Sequence, residues 1–315
     1  MNGELPRLVF FGTPDFAVPT LRRLAAEKGT VALVVTQPDR PRGRGRKTGP
    51  SPVKKLAEAS GIPVLQPSSV REPETLATIA SVGAECAVVV AYGRILPQKL
   101  LELFPLGVLN IHGSILPAYR GAAPIQRAIL AGERTTGVTV MLLDTGMDTG
   151  PVLSRKRVPI EESDTFGTLH DTLAEMGADL LVKTLVDWRQ GRIEAQPQDE
   201  RRATYAPPVK KEELRIDWTR PAKEVVNRIR AFDPWPGAHC LWGDRRIKCF
   251  KAFLPDLASR GAPGEVLGES VAGLLVLAGD GKAVCIRELQ MEGQRRLPAV
   301  EFLRGRPVDQ GSMFH

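Results

Sequence analysis

The sequence predicts an α/β fold in its first 191 residues and a small all-β domain after residue 211. Three observations carry this. Apolar runs alternate with amphipathic stretches through the first half, the pattern of a parallel sheet covered by helices. A proline-rich polar stretch, 192–211, interrupts that pattern and reads as a surface linker. Beyond it, from 212 to 315, short apolar runs are separated by glycine-rich turns, which suits a small β-barrel. The expected architecture is therefore a Rossmann-like parallel-sheet domain, a linker, and an OB-like barrel.

The elements follow in order. Leu8–Gly12 is a strand of five residues, followed by a helix from about Asp15 that presents Phe16, Leu21 and Leu24 on one face. Val31–Thr36 is a second strand. Ser51–Ser60 reads as a helix, with Ser51 as N-cap and Pro52 at the first helical position, where a missing N–H costs nothing. A short strand is expected over Ile62–Leu65, a helix over Glu72–Ser81, and buried strands over Cys86–Ala91 and Val108–Ile111. Gly137–Asp144 and Val152–Ile160 look extended. Phe166, Leu169, Leu173, Met176, Leu180, Leu185 and Trp188 recur every three to four residues, the stripe of a long helix. After the linker, Pro221–Phe232 reads as a helix. Strands are then expected over Ala238–Trp242, Arg246–Phe253, Gly264–Leu267, Gly273–Leu277 and Ala283–Leu289.

Charge is localised. The chain carries a formal net charge of +7. Seven basic residues against the single acid Asp39 lie between Thr36 and Lys55, and 18 basic against 14 acidic residues lie between Ala206 and His315. A polyanion touching both regions fits this distribution. The first residues lack an apolar signal region and no apolar run reaches membrane-spanning length, so a cytoplasmic protein is expected. The four cysteines form no C-x-x-C pair, so neither a zinc ribbon nor a disulfide framework is expected. No metal is expected. Gly12 stands alone where a dinucleotide fold needs G-x-G-x-x-G, which disfavours NAD or FAD. In the loop around Lys47, arginine replaces the glycine a P-loop requires.

The chemistry centres on Asn110-Ile111-His112-Gly113-Ser114-Ile115-Leu116-Pro117, directly after a strand. Ligands of open α/β sheets bind beyond the carboxyl ends of strands, and strand alternation puts Asn110 and His112 on one side. An amide that can hydrogen-bond an oxyanion then faces the same point as an imidazole that can move a proton. A carboxylate in the turn Asp144–Gly150 could orient that imidazole. Asp148 is the stronger candidate, because Asp144 ends a strand and can be used up capping its own turn.

Taken together, FFGTPDFA (Phe10–Ala17), TQPDRPRGRGRK (Thr36–Lys47), VVVAYGRILP (Val88–Pro97), NIHGSILPAYRGAAPIQRAI (Asn110–Ile129), TGVTVMLLDTGMDTGPVL (Thr136–Leu153) and RIDWTRPAKEVVNRIRAFDPWPGA (Arg215–Ala238) resemble the folate-dependent formyltransferase family. The resemblance implies transfer of the formyl group of 10-formyltetrahydrofolate, a co-substrate, to the α-amino group of methionyl initiator tRNA. It implies a catalytic triplet of Asn110, His112 and Asp148. Ser114, Ile115, Leu116 and Pro117 match the folate-binding stretch, with Ile115 where leucine is usual. Val90, Ala91, Tyr92, Gly93, Ile95 and Leu96 match the positions that hold the pterin. Arg40, Arg42, Arg44, Arg46 and Lys47 match the insertion that enters the tRNA acceptor stem, and the C-terminal barrel matches a tRNA-binding domain. A monomer is expected. A relative acting on a small amine would need neither the basic loop nor the barrel, and a pure RNA-binding protein would need no such triplet.

Overall fold

The computed structural model describes residues 5–42 and 47–315, with backbone only for residues 41, 42, 47 and 48. In chain order its elements are β1 (Leu8–Gly12), α1 (Val18–Ala26), β2 (Val31–Val35), β3 (Arg40–Arg42), β4 (Lys47–Gly49), α2 (Pro52–Ala59), β5 (Val64–Leu65), α3 (Pro73–Ser81), β6 (Cys86–Val90), α4 (Gln98–Leu101), β7 (Val108–His112), α5 (Pro124–Leu130), β8 (Thr135–Leu142), β9 (Val152–Pro159), α6 (Phe166–Arg189), α7 (Ala222–Ala231), β10 (Ala238–Trp242), β11 (Arg245–Phe253), β12 (Val266–Ser270), β13 (Gly273–Leu277), β14 (Ala283–Met291), β15 (Leu297–Pro298) and α8 (Ala299–Gly305). By packing, residues 1–121, 137–158 and 170–205 form one compact unit, and residues 122–136, 159–169 and 206–315 form another.

The first unit is built on a seven-stranded sheet in the order β5-β2-β1-β6-β7-β8-β9. Strands β2, β1, β6 and β7 pair in parallel, while β8 runs antiparallel to β7. The sheet is thus mostly parallel. Strands β1, β6 and β7 are buried along their whole length, which explains why their sequences read as unbroken apolar runs. One face buries Val9, Phe11, Leu33, Val35, Ala87, Val89 and Val108 with Ile79 and Leu100 from α3 and α4. Each such side chain stabilises the fold by about 1.5–3 kcal/mol. On the other face α6 comes so near that a Cβ on Gly177 would lie 2.9 Å from Ile111.

The predicted caps are present. The Ser51 hydroxyl accepts the Lys54 N–H at 3.0 Å at the start of α2, with Pro52 in the first turn. The first helix begins with a 3-10 turn, Asp15–Ala17, before α1 proper.

The second unit contains an antiparallel sheet in the order β10-β11-β14-β13-β12, with β15 added to β14. Residues 311–315 bond to both of its outer strands. Leu241 and His315 exchange N–H groups for carbonyls, and Phe314 N–H donates to Gly264 while Val266 N–H donates to Ser312. That arrangement is compatible with the expected barrel. All four cysteines are buried and none is disulfide-bonded. Cys240 and Cys249 lie on adjacent strands, 3.9 Å apart at sulfur. Burial pushes the Cys86 thiol up to about 12 and raises Cys240 and Cys285 as well. Among the described residues no helix is long and apolar enough to cross a membrane.

Candidate active site

Chain order along the first sheet reverses between β1 and β6. β1 leads outward to β2 and β5, whereas β6 leads the other way to β7. Loops leaving such a pair of strands part company, and the gap between them is where open α/β sheets take their ligands. A cleft of about 370 Å³ opens there, lined among others by Thr13, Gln37, Asp39, Ala91, Tyr92 and Gly93. Its wall is held by hydrogen bonds. Gln37 Nε2 and Thr13 Oγ1 both donate to the Tyr92 carbonyl, at 2.8 and 3.3 Å. Asp39 accepts from Lys54 Nζ at 2.8 Å and from Gln66 Nε2 at 2.7 Å.

Strand β7 ends beside this cleft. Alternation puts Val108, Asn110 and His112 on one face, so the row that begins as core continues as polar groups. Asn110 and His112 are only 8% and 6% exposed. The His112 ring faces an oxygen from each nitrogen: Nε2 lies 2.8 Å from the Tyr119 carbonyl and Nδ1 lies 3.6 Å from Asp148 Oδ2. The first is a hydrogen bond, so Nε2 carries a proton. The second is an ion-pair distance, longer than a hydrogen bond. The same Asp148 oxygen accepts the Gly121 N–H at 2.8 Å. Asp144, by contrast, accepts Gly146 N–H at 2.9 Å and Thr149 Oγ1 at 2.7 Å and serves its own turn. The Asn110 amide has no hydrogen-bond partner among the described residues. Its polar atoms are not fully buried, so the amide is open to a ligand.

The loops that converge here hold unusual backbone. Among the described residues four non-glycine residues have positive φ, and three of them, Ala91 (47°), Tyr119 (60°) and Asp148 (56°), follow β6, β7 and β8. Such conformations collect at functional sites. The Asp148 turn closes on Gly150, where a Cβ would sit 1.9 Å from the Leu142 carbonyl.

The structure separates the expected folate residues into two groups. Ser114–Pro117 form a turn pinned by Thr139, whose hydroxyl donates to the Ser114 carbonyl at 2.7 Å and accepts the Leu116 N–H at 3.1 Å. Ser114 Oγ donates to the Ala118 carbonyl at 2.6 Å, and Leu116 is buried with Met141 and Val152. Ile115 reaches toward Gly137 on β8. In the other group Val90, Tyr92 and Leu96 are buried, and Tyr92 packs edge-on against Phe11 at 5.5 Å. Burial raises the Tyr92 phenol, whose oxygen has no partner among the described residues. Ala91, Gly93 and Ile95 are exposed, Ile95 by 77%. Of this loop, Ala91, Tyr92 and Gly93 line the cleft, while Ile95 stands exposed to solvent.

The basic loop is a hairpin at its base, with Arg40 opposite Gly49, Pro41 opposite Thr48 and Arg42 opposite Lys47. Arg40 is exposed. Arg44 and Arg46 lie outside the described residues, and only the backbone of Arg42 and Lys47 is described. Sequence reasoning missed Gln37, Thr139, Arg120 and Gln198. The first three lie inside the quoted stretches, but nothing in their spacing marks a role; each acts through hydrogen bonds to residues far along the chain.

Residues 6–185 match the model of the formyl transferase family, and residues 208–307 match that of the formyl transferase C-terminal domain. The chain belongs to the formyl transferase family. Among its relatives, the methionyl-tRNA formyltransferase of Pelobacter propionicus is 48% identical over 97% of this chain and 95% of its own. That of Pseudomonas fluorescens is 47% identical over 92% and 91%. Among solved structures this formyl transferase resembles the N-formyltransferase of Helicobacter canadensis, in complex with folinic acid and dTDP-3-aminofucose. The TM-score is 0.67 at 21% identity, over 91% of this chain and 100% of that one. It also resembles HypX of Aquifex aeolicus in complex with tetrahydrofolic acid, with a TM-score of 0.64 at 20% identity, over 98% of this chain and 50% of that one. At such identities the structural likeness establishes a shared fold.

Proposed function

We propose that this formyl transferase moves the formyl group of 10-formyltetrahydrofolate to the α-amino group of methionine on initiator tRNA. One observation carries the chemistry: Asn110, an amide without a partner among the described residues, and His112, paired with Asp148, lie on one face of β7 at its carboxyl end. The relatives named above, nearly full-length and 47–48% identical, support the acceptor. Localised positive charge over 36–55 and 206–315 suits that acceptor's phosphates.

The neutral amine of the methionyl group attacks the formyl carbon. The formyl C=O bond opens to an oxyanion, which the Asn110 amide N–H stabilises. Asp148 orients the imidazole, and the proton lost by the attacking nitrogen passes to this pair or to water. Collapse restores the C=O bond and expels the folate N10, which takes up a proton. No covalent bond to the protein forms. Most of the rate comes from holding two substrates in register. The exposed peptide groups of Ala91 and Gly93, the Ile95 side chain and the Ser114–Pro117 turn are the surfaces available to the folate. Arg40, Arg42, Arg44, Arg46 and Lys47 would meet acceptor-stem phosphates. One chain supplies triplet, cleft and basic surface, so the enzyme is taken as a monomer, working in the cytoplasm where charged tRNA is found.

The test is formyl transfer from 10-formyltetrahydrofolate to methionyl initiator tRNA, free methionine and glycinamide ribonucleotide in parallel. Formylation of the charged tRNA alone is expected. Transfer to a small amine with tRNA ignored would keep the triplet and overturn the acceptor.

A further inference from the structure

The segment 196–205 was expected to lie on the surface as linker, yet it is sewn onto the loops that hold His112 and Asp148. Thr204 accepts the Arg120 N–H at 2.8 Å through its carbonyl and the Tyr119 N–H at 2.9 Å through its hydroxyl, and its own N–H donates to Pro117 at 3.2 Å. Gln196 and Val152 exchange backbone hydrogen bonds at 2.8 Å. At the centre lies Arg120, the largest fully buried side chain, 0% exposed. Its Nε and Nη2 donate to Gln198 Oε1 at 3.2 and 2.9 Å, and its guanidinium forks onto Glu200 at 2.8 and 2.7 Å. That pairing raises Arg120 and holds the Glu200 carboxyl below its usual range.

The Gln198 amide then completes a circuit. Its Nε2 donates to two carbonyls of the other loop, Asp148 and Gly150, both at 2.8 Å. On the Arg120 side, the flanking residues touch the catalytic pair directly: the Tyr119 carbonyl takes the His112 proton and the Gly121 N–H meets Asp148 Oδ2. Arg120 and Gln198 thus tie the loop that holds His112 to the loop that carries Asp148. Both loops contain a non-glycine residue at positive φ, Tyr119 and Asp148, a conformation kept only where surroundings over-determine it.

We infer that Gln198, held by the buried Arg120, is a positioning residue that sets the His112–Asp148 distance. The inference rests on the proposed role of that pair. Gln198→Glu keeps the acceptor for Arg120 and removes both N–H donations to the Asp148 loop; Gln198→Leu removes everything. A misplacement near 1 Å costs up to about a hundredfold in rate. For both variants kcat for formyl transfer should fall about tenfold to a hundredfold, and the pH profile of kcat should shift. KM for tRNA and for folate should move less than about twofold, since neither substrate is touched. Arg120→Lys, which keeps a donor, should recover part of the rate lost in Arg120→Met. Both kcat and the melting temperature are to be measured with the full chain. A lower melting temperature with unchanged kcat and pH profile in both Gln198 variants would make the contact merely structural and overturn the inference. His112→Ala is measured alongside. If that variant turns over normally, the reading of the site itself fails; if it is dead while the Gln198 variants are normal, only the positioning role fails.

Discussion

The two units differ in the polar groups they leave open. Beside its saturated Arg120 network, the first unit keeps groups with capacity to spare at the carboxyl ends of β6 and β7: the Asn110 amide and the buried Tyr92 hydroxyl have no partner among the described residues, and His112 approaches Asp148 without closing to a hydrogen bond. The second unit locks nearly everything it buries, the Trp218 indole N–H excepted. Asp233 takes a guanidinium fork from Arg296 at 2.7 and 3.3 Å and the Lys251 N–H at 2.9 Å. The same Arg296 also meets Glu288 and lies 4.0 Å over the Phe250 ring. Arg230 donates to the carbonyls of Asp164 and Glu161 and to the Asn227 amide oxygen. Saturated networks rigidify a scaffold. Groups left partly unsatisfied keep free energy that a substrate or transition state can draw on.

That contrast can be broken at several points. The largest effect should come from His112→Ala, which is expected to slow single-turnover transfer by about 10²–10⁴-fold while folate still binds. Asn110→Ala should slow it by about 10²–10³-fold. Normal turnover in either would put the oxyanion elsewhere. In the second unit Asp233→Ala should do the reverse. It removes one of the two carboxylates that hold Arg296 and the acceptor of the Lys251 N–H, and should cost about 1–3 kcal/mol in denaturant unfolding, with transfer per folded molecule unchanged. A rate loss beyond the folded fraction would mean that the Asp233 network does more than hold the second unit together.

Smaller effects refine the picture. Arg42→Leu should lower the slope of log tRNA affinity against log salt by about one phosphate contact; an unchanged slope would take that arginine off the acceptor stem. The smallest concerns Glu213, which Arg127 holds down to about 2 from an ordinary 4.5, mainly by a side-chain hydrogen bond. Because the folded state binds this proton less readily, the pair's stabilisation is complete above pH 4.5 and is lost as pH falls towards 2. Glu213→Gln should flatten the acid limb of stability over that window, and an identical acid limb in the two proteins would show that the pair contributes nothing there.

What was legible follows from range. Strands β1, β2, β6 and β7 and helix α6 were read directly, because burial on both faces or along one stripe leaves a local pattern. Asp148 was preferred to Asp144 on other grounds, as the carboxylate in a flexible turn rather than at a strand end. The short helices α5 and α8, the edge strand β15 and the β3–β4 hairpin were not seen. Two to seven residues carry too little periodicity, and Arg, Pro and Gly suggest loop. Gln198 and Thr204 were invisible for another reason: their partners lie about 50 to 87 positions away, and a polar, proline-flanked stretch looks the same whether it is loose or stitched down.

The four buried thiols have a practical consequence. Burial keeps Cys86, Cys240 and Cys285 protonated at neutral pH, and Cys249 is as inaccessible as they are. Alkylating reagents attack thiolates that they can reach. The native chain is therefore silent toward maleimides, and one cysteine placed at a fully exposed position such as Val271 would take a fluorophore or spin label alone. A second, at the exposed Glu58 of α2 on the other unit, would make a ruler for watching the two units when tRNA is added, with no native cysteine to remove first.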